Sequence, residues 1–152
     1  MPAFSQSLKF VAPALALAAT FGATVALAKG ERSVPEAQAR AEVMFTIGKN
    51  TKVLGEMLEG KAAFDATAAA EAKAAMIEAS AKIAEAFKVK GEEDPASEAT
   101  ETVWTDWEGF LAKTSAFEAN LAALDVASLE TLGATFGKVG AACKDCHSDF
   151  RE

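Results

Sequence analysis

Apolar residues return along this chain at steps of three and four in four separate runs, each bounded by residues that start or stop helices. The first run opens on Ser33-Val34-Pro35-Glu36. This is a Ser-x-x-Glu capping box, with proline preset for the first turn. Met44, Ile47, Thr51, Leu54 and Leu58 follow on one stripe, and Gly60 is a natural stop. The second run extends from Asp65 or Thr67 to Phe87 along Ala72, Met76, Ala79 and Ile83. Residues 88–101 break the rhythm: Gly91 and Pro95 stand among charged side chains, and the segment reads as a solvated connection. The third run starts at Thr105-Asp106-Trp107-Glu108, a second capping box, and carries Trp107, Phe110, Thr114, Phe117, Leu121 and Leu124. The fourth starts at Asp125 or Ser128 and keeps its period through Leu129, Leu132, Phe136, Val139, Cys143, Cys146 and Phe150. No window alternates apolar and polar residues for long enough to make a strand. Four amphipathic helices, with the longer connection between the second and third, predict an all-α, antiparallel four-helix bundle.

The first 28 residues stand outside this pattern. Lys9 precedes an apolar run over 10–27 that closes on Ala26-Leu27-Ala28, the small-x-small pattern of a signal-peptidase site. Pro13, Gly22 and the abrupt turn to Lys29, Glu31 and Arg32 argue against a permanent anchor. The expectation is a secretory signal over 1–28, cleaved after Ala28, and a single domain over 29–152. No other segment is long and apolar enough to span a bilayer, so no membrane attachment is expected after cleavage. The whole chain has a formal net charge of −7, and Lys9 is the only charged residue in the signal, so the mature chain is more acidic still. No basic stripe exists to neutralise phosphates, which excludes nucleic acid. An acidic surface suits a protein steered toward a partner with a basic docking face.

The chemistry is concentrated at one place. Cys143-Lys144-Asp145-Cys146-His147 is Cys-x-x-Cys-His, the attachment signature of a c-type haem. On a helix these three residues fall at i, i+3 and i+4 and project from one face. Two thiols can then form thioethers with the haem vinyl groups while the imidazole is aimed at the iron from the same side. An export signal agrees, because covalent haem attachment takes place outside the cytoplasm. Three other readings compete less well. A Cys-x-x-Cys redox centre opens a helix after a strand, and no strand is visible. A zinc site lacks a second cysteine and histidine cluster. A structural disulfide leaves His147, the only histidine, without a role. One histidine excludes bis-His coordination, so a sixth protein ligand would come from Met44, Met57 or Met76.

These residues resemble the class II c-type cytochromes, whose best-known members are the cytochromes c-prime. The resemblance covers the mature chain and rests on the C-terminal segment 136–151, on Val103-Trp104-Thr105-Asp106-Trp107, and on the Arg40-x-x-x-Met44 spacing. It implies a four-helix bundle holding one haem c, with His147 as the proximal axial ligand. It also implies Arg151 beside the proximal haem face, Arg40 near a propionate and Met44 on the distal face. Plainer roles exist for several of these. Arg151 in the last turn also complements the helix dipole, and Arg40 could be a surface charge. Trp104 and Trp107 read as packing residues. Gly133, Gly137 and Gly140 lower helix propensity, and their spacing suggests room for the haem or close helix approach. Family members often pair as homodimers through their first two helices.

Met44 divides the functional expectation. In the c-prime branch the iron is five-coordinate and an apolar residue crowds its open face, so nitric oxide and carbon monoxide bind. In the low-spin branch a first-helix methionine ligates the iron and the protein only carries electrons. Methionine suits both roles. The expectation taken is a mono-haem c-prime protein of the bacterial periplasm that transfers electrons, binds such gases, or does both. The His/Met carrier is the alternative. With no second histidine to act as a distal acid or base, an enzyme is not expected.

Overall fold

The computed structural model describes residues 32–152; the expected signal peptide lies outside them. These residues form α1 (Pro35–Leu58), α2 (Ala66–Ser80), α3 (Ile83–Lys88), α4 (Thr102–Thr105), α5 (Trp107–Ala122) and α6 (Leu129–Phe150). The bundle is built from α1, the α2–α3 pair, α5 and α6, and α4 is a single turn leading into α5. No described helix is long and apolar enough to cross a membrane.

The helix ends show where local chemistry prevailed and where distant residues overruled it. Ser33 does not cap α1. The helix begins at Pro35 after an uncapped Val34. Instead, the amides of Ser33 and Val34 donate to Asp94 Oδ2 at 2.8 and 3.0 Å. A carboxylate from far along the chain thus replaces the serine hydroxyl, and its negative charge is favoured at a helix N-terminus. At the other end of α1, Gly60 adopts φ 70°. Its amide bonds to Met57 O at 3.2 Å and that of Lys61 to Glu56 O at 2.9 Å, which is a Schellman motif.

The second predicted helix is two helices. The buried Ser80 hydroxyl donates to Ile77 O at 2.9 Å, and Lys82 N reaches back only to Ala79 O at 3.0 Å. Such hydroxyl back-bonding competes with the α-helical ladder, and the chain makes a turn before α3. The third helix is capped by Asp106 rather than Thr105: Gly109 N donates to Asp106 Oδ1 at 3.1 Å. Thr105 ends α4, where its hydroxyl donates to Glu101 O at 3.3 Å. A Cβ on Gly109 would press on the Asp106 carboxylate as it stands, so the cap sits closer here than a larger residue would allow without a shift of that side chain. Of the two starts considered for α6, Ser128 is the cap, in a reciprocal box with Thr131.

The connection over 88–101 is not simply solvated. Asp94 and Ala96 are buried. Thr100 N donates to Phe150 O at 3.1 Å and Glu152 N to Glu98 O at 3.0 Å, around an antiparallel bridge between Ala99 and Arg151. The segment therefore crosses one end of the bundle and is tied to the chain terminus.

The stripes read from the sequence largely supply the core. Leu54, Met76, Leu121, Leu124, Leu132 and Val139 are essentially sealed from water. Leu129 is the exception among the expected core residues, at 45% exposed. At the end spanned by the crossing segment the packing turns aromatic. Phe110 lies 5.1 Å from Phe87, 5.3 Å from Trp107 and 5.3 Å edge-on from Phe150. Gly137 and Gly140 face open space, and a Cβ on Gly133 would only touch Leu58 at 3.6 Å. The glycines of α6 thus mark no close helix approach.

Two predictions follow from these contacts. Leu132→Ala should cost about 2–5 kcal/mol in chemical denaturation of the haem-loaded protein, since the site is sealed and a cavity would remain. Asp94 is held below its ordinary pKa of 3.8 by the amides of Val34, Ala96 and Ser33, against the cost of its burial. Its contribution is therefore fully present above that pH and is lost as pH falls through the lowered folded value. Asp94→Asn should lower the melting temperature at pH 6 and flatten its decline in acid; an acid limb identical to wild type would refute this role.

Candidate functional site

The cavity occupies the end of the bundle away from the buried leucines of α1, α5 and α6. It has a volume of about 530 Å³, within the common range of roughly 300–1,000 Å³ for cofactor pockets. Ala37, Met44 and Ile47 line it from α1, and Phe110, Thr114 and Phe117 from α5. The C-terminal part of α6 supplies Ala142, Cys143, Cys146, His147 and Phe150, and the crossing segment adds Ser97, Glu98 and Ala99. Thr114 keeps its hydroxyl out of the apolar space by donating to Phe110 O at 3.0 Å.

The helical spacing of the Cys-x-x-Cys-His motif brings all three of its side chains to this one wall. They are half-buried, and the two thiols are unpaired. Burial pushes the Cys143 thiol up, and it pushes Cys146 up against the opposing pull of the Lys113 ammonium. Lys113, on α5, pairs with Asp145 at 2.7 Å and Asp149 at 3.2 Å, one residue on each side of the Cys146 turn. These partly exposed pairs link α5 to α6 on either side of Cys146. Burial and then Arg151 hold the His147 imidazole below its ordinary pKa, with Glu98 opposing. The ring is therefore neutral near pH 7, the form that ligates metals.

Arg40 is no surface charge, being only 5% exposed. Its Nη1 donates to Val89 O at 3.2 Å and Lys90 O at 3.1 Å. The guanidinium stands 5.2 Å from the Trp104 ring and 5.8 Å from that of Phe87. Trp104 is itself fixed by its indole N–H, which donates to Phe87 O at 2.8 Å. Burial lowers the Arg40 pKa, and Glu36 and Asp94 oppose the shift. Its Nε is buried with no hydrogen-bond partner among the described residues. Arg40, Ser97 and Ala99 also line an adjoining polar cleft of about 360 Å³, where the Thr100 hydroxyl is likewise without a partner. Arg40 thus stands in the wall between an apolar cavity and a polar cleft, with one donor unused.

Arg151 lines the cavity beside His147, but its guanidinium is engaged by Glu98. Sequence reasoning missed Glu98, which sits in a charge-rich segment and becomes a site residue only through long-range pairing with the chain terminus. It also missed Phe45, which lines the rim at 71% exposure, and the α5 wall, whose members had been read only as core.

A helical bundle that turns two unpaired cysteines and a neutral histidine, spaced Cys-x-x-Cys-His, into a largely apolar cavity defines a c-type cytochrome. Comparison with known proteins narrows the class. The family model described as Cytochrome C' matches residues 35–151, and the chain belongs to that family. It is 37% identical over 100 residues to cytochrome c' of Rubrivivax gelatinosus, an alignment covering 63% of this chain and 78% of that protein. The crystal structure of the Rubrivivax gelatinosus protein superposes with a TM-score of 0.67 at 30% identity, covering 77% of this chain and 94% of that one. Cytochrome c prime from Shewanella frigidimarina gives 0.68 at 30% identity, over 77% and 96% of the two chains. A nitric oxide complex of a cytochrome c prime variant from Alcaligenes xylosoxidans gives 0.69 at 27% identity, over 77% and 93%.

The family's cofactor is one covalently bound haem c, and the residues present fit it. The walls are apolar, as a macrocycle requires. The thiols are unpaired, and Arg40 places a cation where the cavity meets the polar cleft, the charge a haem carboxylate requires.

Proposed function

We propose that this protein is an exported, periplasmic cytochrome of the c-prime type, with Cys143 and Cys146 as the attachment residues and His147 as the axial iron ligand. The observation that carries this reading is the convergence of these three side chains on one wall of the apolar cavity. Haem c supplies a one-electron redox couple and an iron that can accept a small diatomic ligand. Everything else is done by the chain. Cys143 and Cys146, one turn apart on α6, fix the macrocycle's orientation. His147 offers a neutral imidazole from the same helix. The Arg40 guanidinium, held by the Val89 and Lys90 carbonyls between the cavity and the polar cleft, would supply the cation that attracts a haem propionate. Met44 lines the α1 wall, where its flexible thioether side chain excludes water and crowds the distal side without bonding. This role would set access of a gas ligand, and the nitric oxide complex of the Alcaligenes relative's variant supports gas binding as the function.

Electron exchange belongs to the same reading. The formal net charge of −7 favours encounter with a redox partner presenting a basic face. Phe45 on α1 and Ile77 on α2 are exposed apolar residues, which favours a homodimer through those helices. No enzymatic turnover is proposed.

The attachment assignment predicts that Cys143→Ala with Cys146→Ala abolishes haem that survives denaturation, read by intact mass and by haem staining of a denaturing gel. Covalent haem persisting in the double variant would overturn it. The gating role predicts that the ferric protein is high-spin and that Met44→Ala leaves this unchanged while speeding association of carbon monoxide several-fold. A low-spin resting spectrum that becomes high-spin on Met44→Ala would instead make Met44 an iron ligand and the protein a carrier alone.

A further inference from the structure

Glu98 has no part in the reading so far, yet the chain goes to some length to place it. The ladder between the crossing segment and the chain terminus fixes the backbones of Glu98 and Arg151 on opposite sides. It does so through Glu152 N to Glu98 O at 3.0 Å, Thr100 N to Phe150 O at 3.1 Å, and the bridge between Ala99 and Arg151. Across it, Glu98 Oε2 accepts from Arg151 Nε at 2.7 Å and lies 2.5 Å from Nη2, so one carboxylate oxygen holds one edge of the guanidinium through two nitrogens. Arg151 is in turn coupled to the motif, because its backbone N–H donates to His147 O at 3.2 Å. All three side chains line the same cavity.

Stability alone is a weak account of this pair. The two side chains are 49% and 28% exposed, and ion pairs so open to water add little to folding. Their charges still act on the cavity, because one side of the pair faces low-dielectric protein rather than solvent. We propose that Glu98 is a positioning residue for the haem site: it holds the Arg151 guanidinium against the cavity wall and supplies the counter-charge that sets how strongly that wall favours the reduced over the oxidised iron. The inference rests on His147 being the iron ligand. Reduction adds one electron, drawn in the test from an electrode, and makes the site one unit less positive. No bond in the chain forms or breaks. A cation left unbalanced at the wall therefore favours the reduced state, and an unbalanced anion opposes it.

The test is the midpoint potential of the haem-loaded protein by spectroelectrochemistry, with covalent haem confirmed by mass in every variant. Glu98→Gln should raise the potential and Arg151→Gln should lower it. The double variant should fall between them near wild type, and Glu98→Asp should restore most of the Glu98→Gln shift. A merely structural pair would lower the melting temperature of both single variants without shifts of opposite sign, and that result would overturn the proposal. Should Glu98→Gln fail to accumulate, a potential that does not fall in Arg151→Gln overturns it equally. Absence of covalent haem from the unaltered protein would overturn the haem assignment and this inference together. Unshifted potentials in loaded variants would remove the role of Glu98 alone.

Discussion

The structure depends on one constraint: the face of α6 that seals the bundle must also carry the Cys-x-x-Cys-His motif. Leu132, Val139 and Phe150 are buried in the core, and Cys143, Cys146 and His147 occupy the same stripe between the last two. Helical period alone makes this feasible, since steps of seven, four, three and four return to one side. The consequence is that the rotation of α6 cannot be adjusted for the motif without unpacking the core, or for the core without misdirecting the motif. Lys113, pairing with Asp145 and Asp149 from α5, links the two helices on either side of Cys146.

The other half of the site is assembled by the segment over 89–101. Its Asp94 carboxylate takes the first free amides ahead of α1, and its start supplies the Val89 and Lys90 carbonyls that hold Arg40. Its end pairs with the residues just past α6. One loop thereby connects the N-terminal end of α1 to the C-terminal end of α6, the two places from which Met44 and His147 reach the cavity. Arg40, bounded by Trp104 and Phe87, is the side chain where these connections meet.

Much of this was legible in the sequence because it is local or periodic. The three-and-four rhythm located the bundle helices and most of the core, and the motif pointed to three side chains that line one wall of the cavity. What escaped had a long-range cause in each case. The Ser33 box lost to a carboxylate some sixty positions away. The crossing segment looked solvated because its charged residues, Glu92 and Glu93, are indeed exposed, while the single buried acid, Asp94, is indistinguishable from them by type. Glu98 is the same case: an ordinary acidic residue until the fold brings Arg151 to it. The helix break at Ser80 is the partial exception, since serine's habit of bonding back to the preceding turn is a local rule.

The lengthwise division of the bundle, leucine-packed at one end and hollow at the other, has a bearing on maturation. Opening free energies within a protein follow the density of buried apolar contacts, so the two ends are not equally firm. The Leu54, Leu121 and Leu132 end is closed by the chain's own side chains, whereas the end with Met44 and His147 surrounds the cavity. Local opening is therefore easier at the end that bears Cys143, Cys146 and His147, where the family's haem c would be attached.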